Sequence, residues 1–254
     1  MAIGHSFIEL ESVDSTNNYA MGLATAGRAP HGTLVFAHDQ WAGKGQRGRS
    51  WNSTPGANII LSAVLEPVAF SPSAAFGLSV CVALACRDFF SAYAGSDVTT
   101  IKWPNDLYWN DRKAGGILIE NQIQGDRWLY AIAGIGININ QTSFPLAARN
   151  PVSLRQITGR SFDAVALARE LGRCLERRYA AWEAGDAPAL LEAYNAVLYR
   201  RGEEVRLRKE NAVFTTRIER VSPQGELLTR DVLDRRFSFG EVEWVLDTPP
   251  VSGL

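Results

Sequence analysis

The chain has 254 residues, 46% hydrophobic and 21% charged, an ordinary balance for a globular protein that buries a sizeable core. A formal net charge of −1 argues against a generally basic nucleic-acid binder and leaves room only for a local basic patch. Cys81, Cys86 and Cys174 form no CxxC pair and read as buried thiols of a reducing compartment.

The N-terminus carries no basic-then-apolar leader pattern. Phe7 to Leu10 reads as a strand, followed by a helix capped by Asp14 or Ser15 and ending near Gly27. Thr33 to Ala37 and Asn58 to Leu65 are β-rich runs, the second apolar on both faces and so central. Ser73 to Tyr93 is a long helix whose small residues suit packing on a sheet. Its apolar run, Ala74 to Cys86, is short for a bilayer and ends in Arg87-Asp88, so no membrane span is expected and the location reads as cytoplasmic. Strands follow at Thr99 to Trp103, Leu107 to Trp109, Ile117 to Ile123 and Trp128 to Ile139, with turns at Asn110-Asp111 and Gly125-Asp126. Helices cover about Asp163 to Trp182 and Asp186 to Leu198. From Gly202 to Leu246 short alternating strands (Val205 to Leu207, Phe214 to Ile218, Leu227 to Thr229, Phe237 to Phe239) predict a small β-barrel.

The stretch Gly43-Lys44-Gly45-Gln46-Arg47-Gly48-Arg49 alternates glycines with cations and holds no acid. Such a loop brings backbone N–H groups close to an anion within positive charge. Gly43, Gly45 and Gly48 also fit G-x-G-x-x-G, but a dinucleotide fold or a P-loop needs a helix next, and Ser50 to Gly56 is turn-rich. Trp51 offers a surface for a purine or a guanidinium. Lys102-Trp103-Pro104-Asn105-Asp106 sets a lysine at a strand end and fixes the chain with proline. Lys113 precedes Gly115-Gly116, where missing side chains permit close ligand approach. Together these stretches point to a site for a phosphate-bearing ligand. His5, His31 and His38 form no catalytic set with a serine or cysteine and read as structural or surface residues.

Five stretches in order resemble the biotin–protein ligases, also called holocarboxylase synthetases: Asp14-Ser15-Thr16-Asn17; Gln40 to Trp51; Lys102 to Asp106; Lys113 to Leu118; and Gly134-Ile135-Gly136-Ile137-Asn138. The resemblance implies an α+β fold, a class II aminoacyl-tRNA synthetase-like mixed sheet with flanking helices followed by a small SH3-like β-barrel. The expected division is a catalytic domain over residues 1–199, a barrel over 200–248 and a flexible tail over 249–254. Because the motifs begin at Asp14, the short type without a helix-turn-helix domain is expected, and no DNA partner. The implied activity joins biotin to ATP as biotinyl-5′-AMP, releasing pyrophosphate, then transfers biotin to a lysine of a biotin carboxyl carrier protein.

By motif position, Lys113, Arg47 and Asp106 are the expected catalytic residues. Ser15, Thr16, Asn17, Gln40, Lys44, Gly45, Gln46, Lys113 and Gly116 are expected to bind biotin, and Gly43, Arg47, Arg49, Trp51, Lys102, Asn105 and Asn138 the ATP or adenylate. Asp106 is expected either in the shell of a Mg²⁺ ion or beside the incoming acceptor lysine. One departure is plain: Lys44 and Gln46 stand where the family commonly carries arginines, and a lysine lacks the planar fork of a guanidinium. The loop is expected to be mobile when empty and to close over the adenylate. A lipoate–protein ligase-like enzyme and a non-catalytic biotin-binding protein are the alternatives, the polar Ser15–Asn17 and Gln40 set suiting a ureido ring better than a dithiolane. A homodimer is compatible with the sequence but not read from it.

Overall fold

A computed structural model describes residues 2–145, 148 and 150–246. The expected tail at 249–254 lies outside them. The long apolar runs build a seven-stranded sheet, ordered β1-β2-β3-β7-β6-β5-β4. Its strands are β1 (Phe7–Val13), β2 (Leu34–Gln40), β3 (Ile59–Leu65), β4 (Thr99–Lys102), β5 (Asp106–Trp109), β6 (Arg112–Gln124) and β7 (Arg127–Ile137). β1 and β2 run parallel and every other neighbouring pair antiparallel, so the sheet is mixed. β3 is buried along its whole length, as an apolar run without alternation demands.

Helix α1 (Thr16–Thr25) covers one face of the sheet, where Ala20, Leu23 and Ala24 pack on Val35, Val64 and Ile132. The other face carries α2 (Ala75–Ala94) and α4 (Ala164–Glu183). A short helix, α3 (Leu154–Thr158), escaped the sequence reading although its signals are present. Ser153 and Gln156 form a capping box, and Gly159 ends the helix at φ 71°. α5 (Ala187–Ala196) leads to a five-stranded antiparallel sheet, ordered β11-β10-β9-β8-β12. It comprises β8 (Glu204–Lys209), β9 (Ala212–Val221), β10 (Leu227–Arg230), β11 (Asp234–Phe237) and β12 (Glu243–Trp244). Asn195 ties α5 to it by pairing with both the N–H and the C=O of Val221.

Three expectations need correction. Ser15 stands at the N-cap of helix α1, but its side chain makes no capping bond. The Thr16 N–H donates instead to Gln40 Oε1, at 2.8 Å. β6 starts at Arg112, not near Ile117, because Gly115 and Gly116 pair with β7. The helical segment Pro72–Ala94, with a mean hydropathy of 1.5, is long and apolar enough by length and composition to cross a membrane. More than half of it is buried inside the protein, and Asp88 pairs with Arg178 of α4, as fits a core helix. The cysteines meet expectation: all are free and buried, and burial pushes the Cys81 thiol up to about 12.

Candidate active site

Along one face of the sheet the side chains nearly vanish. Gly116 of β6 pairs with Gly136 of β7, Leu118 pairs with Gly134, and Gly134 pairs with Ser62 of β3. Residues two apart on a strand share a face, so Gly116, Leu118 and Glu120 line one row. Each position is about 7 Å from the next. The result is a floor of backbone open to side chains from above.

At one end of the floor sits a buried polar network. The Thr16 hydroxyl donates to Gln40 Oε1 (3.2 Å), and Ser62 Oγ lies 2.8 Å from Thr16 Oγ1 and 2.6 Å from Asn17 Oδ1. Asn17 Nδ2 donates to the Leu118 carbonyl (3.2 Å) and to Glu120 Oε2 (2.7 Å). A Cβ added at Gly134 would collide with the Asn17 amide, so the glycine makes room for it. Ser15, Thr16 and Asn17 are all buried.

At the other end Lys113 Nζ donates to Asp106 Oδ1, at 2.6 Å. Both side chains are partly exposed and so open to a ligand. A Cβ at Gly116 would sit 3.4 Å from Lys113 Nζ, 3.4 Å from the Trp51 ring and 3.5 Å from Asp106 Oδ1. Three expected site residues therefore converge over one glycine. The backbone holds Lys113 from both sides: its N–H donates to Asn150 and its carbonyl accepts from Val152. Trp51 lies over the Gly116–Gly136 pair, in space that a Cβ at Gly136 would occupy. Its ring centroid is 5.9 Å from Lys113 Nζ, and its indole N–H is buried without a partner in the protein.

The glycine–cation loop folds back on itself. Gly45 N–H donates to Arg49, Trp51 N–H to Gly43, and Lys44 bridges Ser50. It has more internal order than its composition suggests. With Leu118 and Glu120, residues Ala42 to Gly45 and Gly48 to Ser50 line a cavity of about 470 Å³. Lys44 Nζ reaches Glu120 Oε1 (3.3 Å), and Gln46 Nε2 reaches the Ile117 carbonyl (3.4 Å) while its Oε1 is buried without a partner.

Five expected residues contact other parts of the protein. Arg47, at φ 57°, packs its guanidinium against Gly240 in the turn before β12, and Arg49 faces Glu243 at 4.0 Å. Neither reaches Lys113. Lys102 is buried, with its ammonium 5.3 Å from the Tyr108 ring and 5.2 Å from that of Trp244, toward the C-terminal sheet. The Asn138 amide donates to the carbonyls of Lys113 and Val152 and so braces the start of β6. Asn105 also braces, donating to the Ile117 carbonyl. Ser62 and Glu120 were missed. Ser62 had a signal, as the one polar residue in an apolar run; Glu120 had none without the register.

A family model described as the biotin/lipoate A/B protein ligase family matches residues 9–138. The bifunctional ligase/repressor BirA of Bacillus spizizenii is 33% identical over 89% of this chain and 70% of its own length. The biotin–[acetyl-CoA-carboxylase] ligase of Paracoccus denitrificans is 32% identical over 89% of this chain and 95% of its own. The biotin protein ligase from Aquifex aeolicus, solved in complex with biotin and ATP, superposes with a TM-score of 0.78 at 24% identity over 94% of this chain and 98% of that one. That likeness shows the fold, a mixed sheet with flanking helices and a second antiparallel sheet. The chain is therefore an enzyme of the biotin/lipoate A/B protein ligase family.

Proposed function

We propose that the protein is a biotin–protein ligase that activates biotin with ATP and transfers it to a lysine of a biotin carboxyl carrier protein. The observation that carries this reading is the single glycine floor, with a neutral polar network at one end and the Lys113–Asp106 pair at the other. A ureido ring is uncharged and rich in hydrogen-bonding groups, and burying it requires partners for them. Thr16, Asn17, Gln40 and Ser62 supply such groups, which a dithiolane does not need. Gln40 uses its oxygen on α1, which leaves its amide N–H groups for a ligand.

The chemical obstacle in the first step is repulsion between the biotin carboxylate and the ATP phosphates. The carboxylate oxygen attacks the α-phosphorus and pyrophosphate leaves with its electron pair. Lys113 supplies positive charge where negative charge builds, in a partly dry site where that charge acts strongly. Asp106 holds the ammonium in place. Closure of the loop brings Arg47 from the Gly240 turn and Arg49 from beside β12 to the phosphates, and Trp51 offers a ring for adenine to stack on. In the second step an acceptor lysine attacks the acyl carbon and AMP departs.

Among the described residues no three His, Cys, Asp or Glu side chains cluster to hold a metal. A Mg²⁺ ion arriving with the nucleotide would need one carboxylate, for which Asp106 is the candidate; such an ion would shield the phosphate charge. Incubation with biotin, ATP and a carrier domain tests the proposal. Avidin-detectable biotin should appear on the carrier domain and require both small molecules; absence of label under these conditions would reject it.

A further inference from the structure

Glu120 lies outside the motif positions that led to the site, yet it touches both the polar network and the glycine–cation loop. Its Oε2 accepts from Asn17 Nδ2 at 2.7 Å and its Oε1 from Lys44 Nζ at 3.3 Å. We propose that Glu120 is a positioning residue that sets the orientation of the Asn17 amide and tethers the glycine–cation loop over the biotin end of the site. The inference deepens the ligase reading and rests on it.

An asparagine amide presents N–H groups on one side and oxygen on the other, and its two flips differ only in their partners. Both groups on the Glu120 side, the Leu118 carbonyl and the carboxylate, only accept. They force the Asn17 N–H₂ toward β6. The amide oxygen then lies by Ser62 and over Gly134, where one of its lone pairs remains for a ligand N–H. A ureido ring brings N–H donors; a dithiolane brings none. Glu120 thereby acts on specificity without touching the ligand.

The second oxygen acts on the loop. The Lys44 and Glu120 side chains are 42% and 35% exposed, so their pair is a weak restraint. A weak restraint suits a loop that must rearrange, because an incoming phosphate competes for the same ammonium. A lysine, as a compact point charge on a flexible stem, exchanges partners readily.

Two substitutions separate the arms. Glu120→Ala removes both contacts. Glu120→Gln keeps an oxygen for Asn17 but no charge for Lys44. The readouts are biotin KM and kcat in biotin-dependent pyrophosphate–ATP exchange, and the rate of trypsin cutting after Arg47 and Arg49 in ligand-free protein. Glu120→Ala should raise biotin KM about tenfold, as loss of a charge-assisted hydrogen bond allows, with a much smaller change in kcat. It should also speed loop cutting about threefold, the scale of an exposed ion pair. Glu120→Gln should recover most of the biotin KM while keeping the faster cutting. An unchanged KM in Glu120→Ala, or unchanged cutting in Glu120→Gln, overturns the proposal. If Glu120→Ala fails to fold, the cutting rate of Glu120→Gln decides. Wild-type protein without biotin-dependent exchange would overturn the ligase reading, while the cutting rates still judge the Lys44 arm.

Discussion

Over Gly134, side chains from α1, β2, β3 and β6 meet in a partly buried, mutually hydrogen-bonded set. Across the cavity, Lys44, Arg47 and Arg49 sit on an exposed loop, each resting on a different neighbour: Glu120, the Gly240 turn and Glu243. The difference follows from charge. A neutral ring can be matched in advance, because the polar groups that await it satisfy one another. Three cations cannot be gathered beforehand without an anion between them, since like charges repel. On the proposed ligase reading, the recognition half is therefore prebuilt, and the phosphate half is parked within reach of it.

The largest effect is expected at Lys113, at the far end of the floor from the polar network. Lys113→Ala should lower the exchange rate about 10²–10³-fold, the scale of a lost charge-stabilising group. Its circular dichroism should match wild type; exchange within a few-fold of wild type would remove Lys113 from the chemistry. Gly134→Val tests the prebuilt half alone. Its side chain would displace the Asn17 amide, so biotin affinity by calorimetry should fall more than tenfold, as expected for a buried polar network left partly unpaired. The ATP KM should change far less.

Trp51→Ala tests the parked half. Loss of a stacking surface should raise the ATP KM about tenfold and the biotin KM little. Equal effects on both would place Trp51 in the prebuilt half. Glu243→Gln should free Arg49 and change the ATP KM no more than about threefold, because the pair is long and exposed.

The smallest effect lies outside both halves. His31 Nδ1 accepts from the Glu66 N–H, and burial holds its pKa below the ordinary 6.5. The unfolded chain therefore takes up this proton first, so the stability is whole above pH 6.5 and declines as the pH falls below it. The melting temperature should drop on acidification through that window, and less so in His31→Gln. Parallel declines in the two proteins would assign the effect to other groups.

Much of this was legible in the chain. The strands announced themselves as apolar runs, and motif positions named Ser15–Asn17, Gln40, Asp106 and Lys113, which the fold brings to the two ends of the glycine floor. What escaped depends on pairs distant in sequence. Glu120 reads as a solvated strand residue until β6 is registered against β7 and α1 lies above it. Arg47 and Arg49 point away from Lys113 because Gly240 and Glu243, far along the chain, stand nearby; spacing within a loop carries no such information. The Asn138 amide also braces the backbone carbonyls of Lys113 and Val152, pairs its motif position does not reveal. Gly115 and Gly116 seemed to delay a strand, since glycine weakens strands, whereas here their bareness makes the floor.

Exchange of labelled pyrophosphate into ATP reads the adenylation step with no acceptor protein present. The account predicts exchange that appears only with biotin and vanishes in Lys113→Ala. Exchange that ignores biotin, or that survives the loss of Lys113, would contradict it.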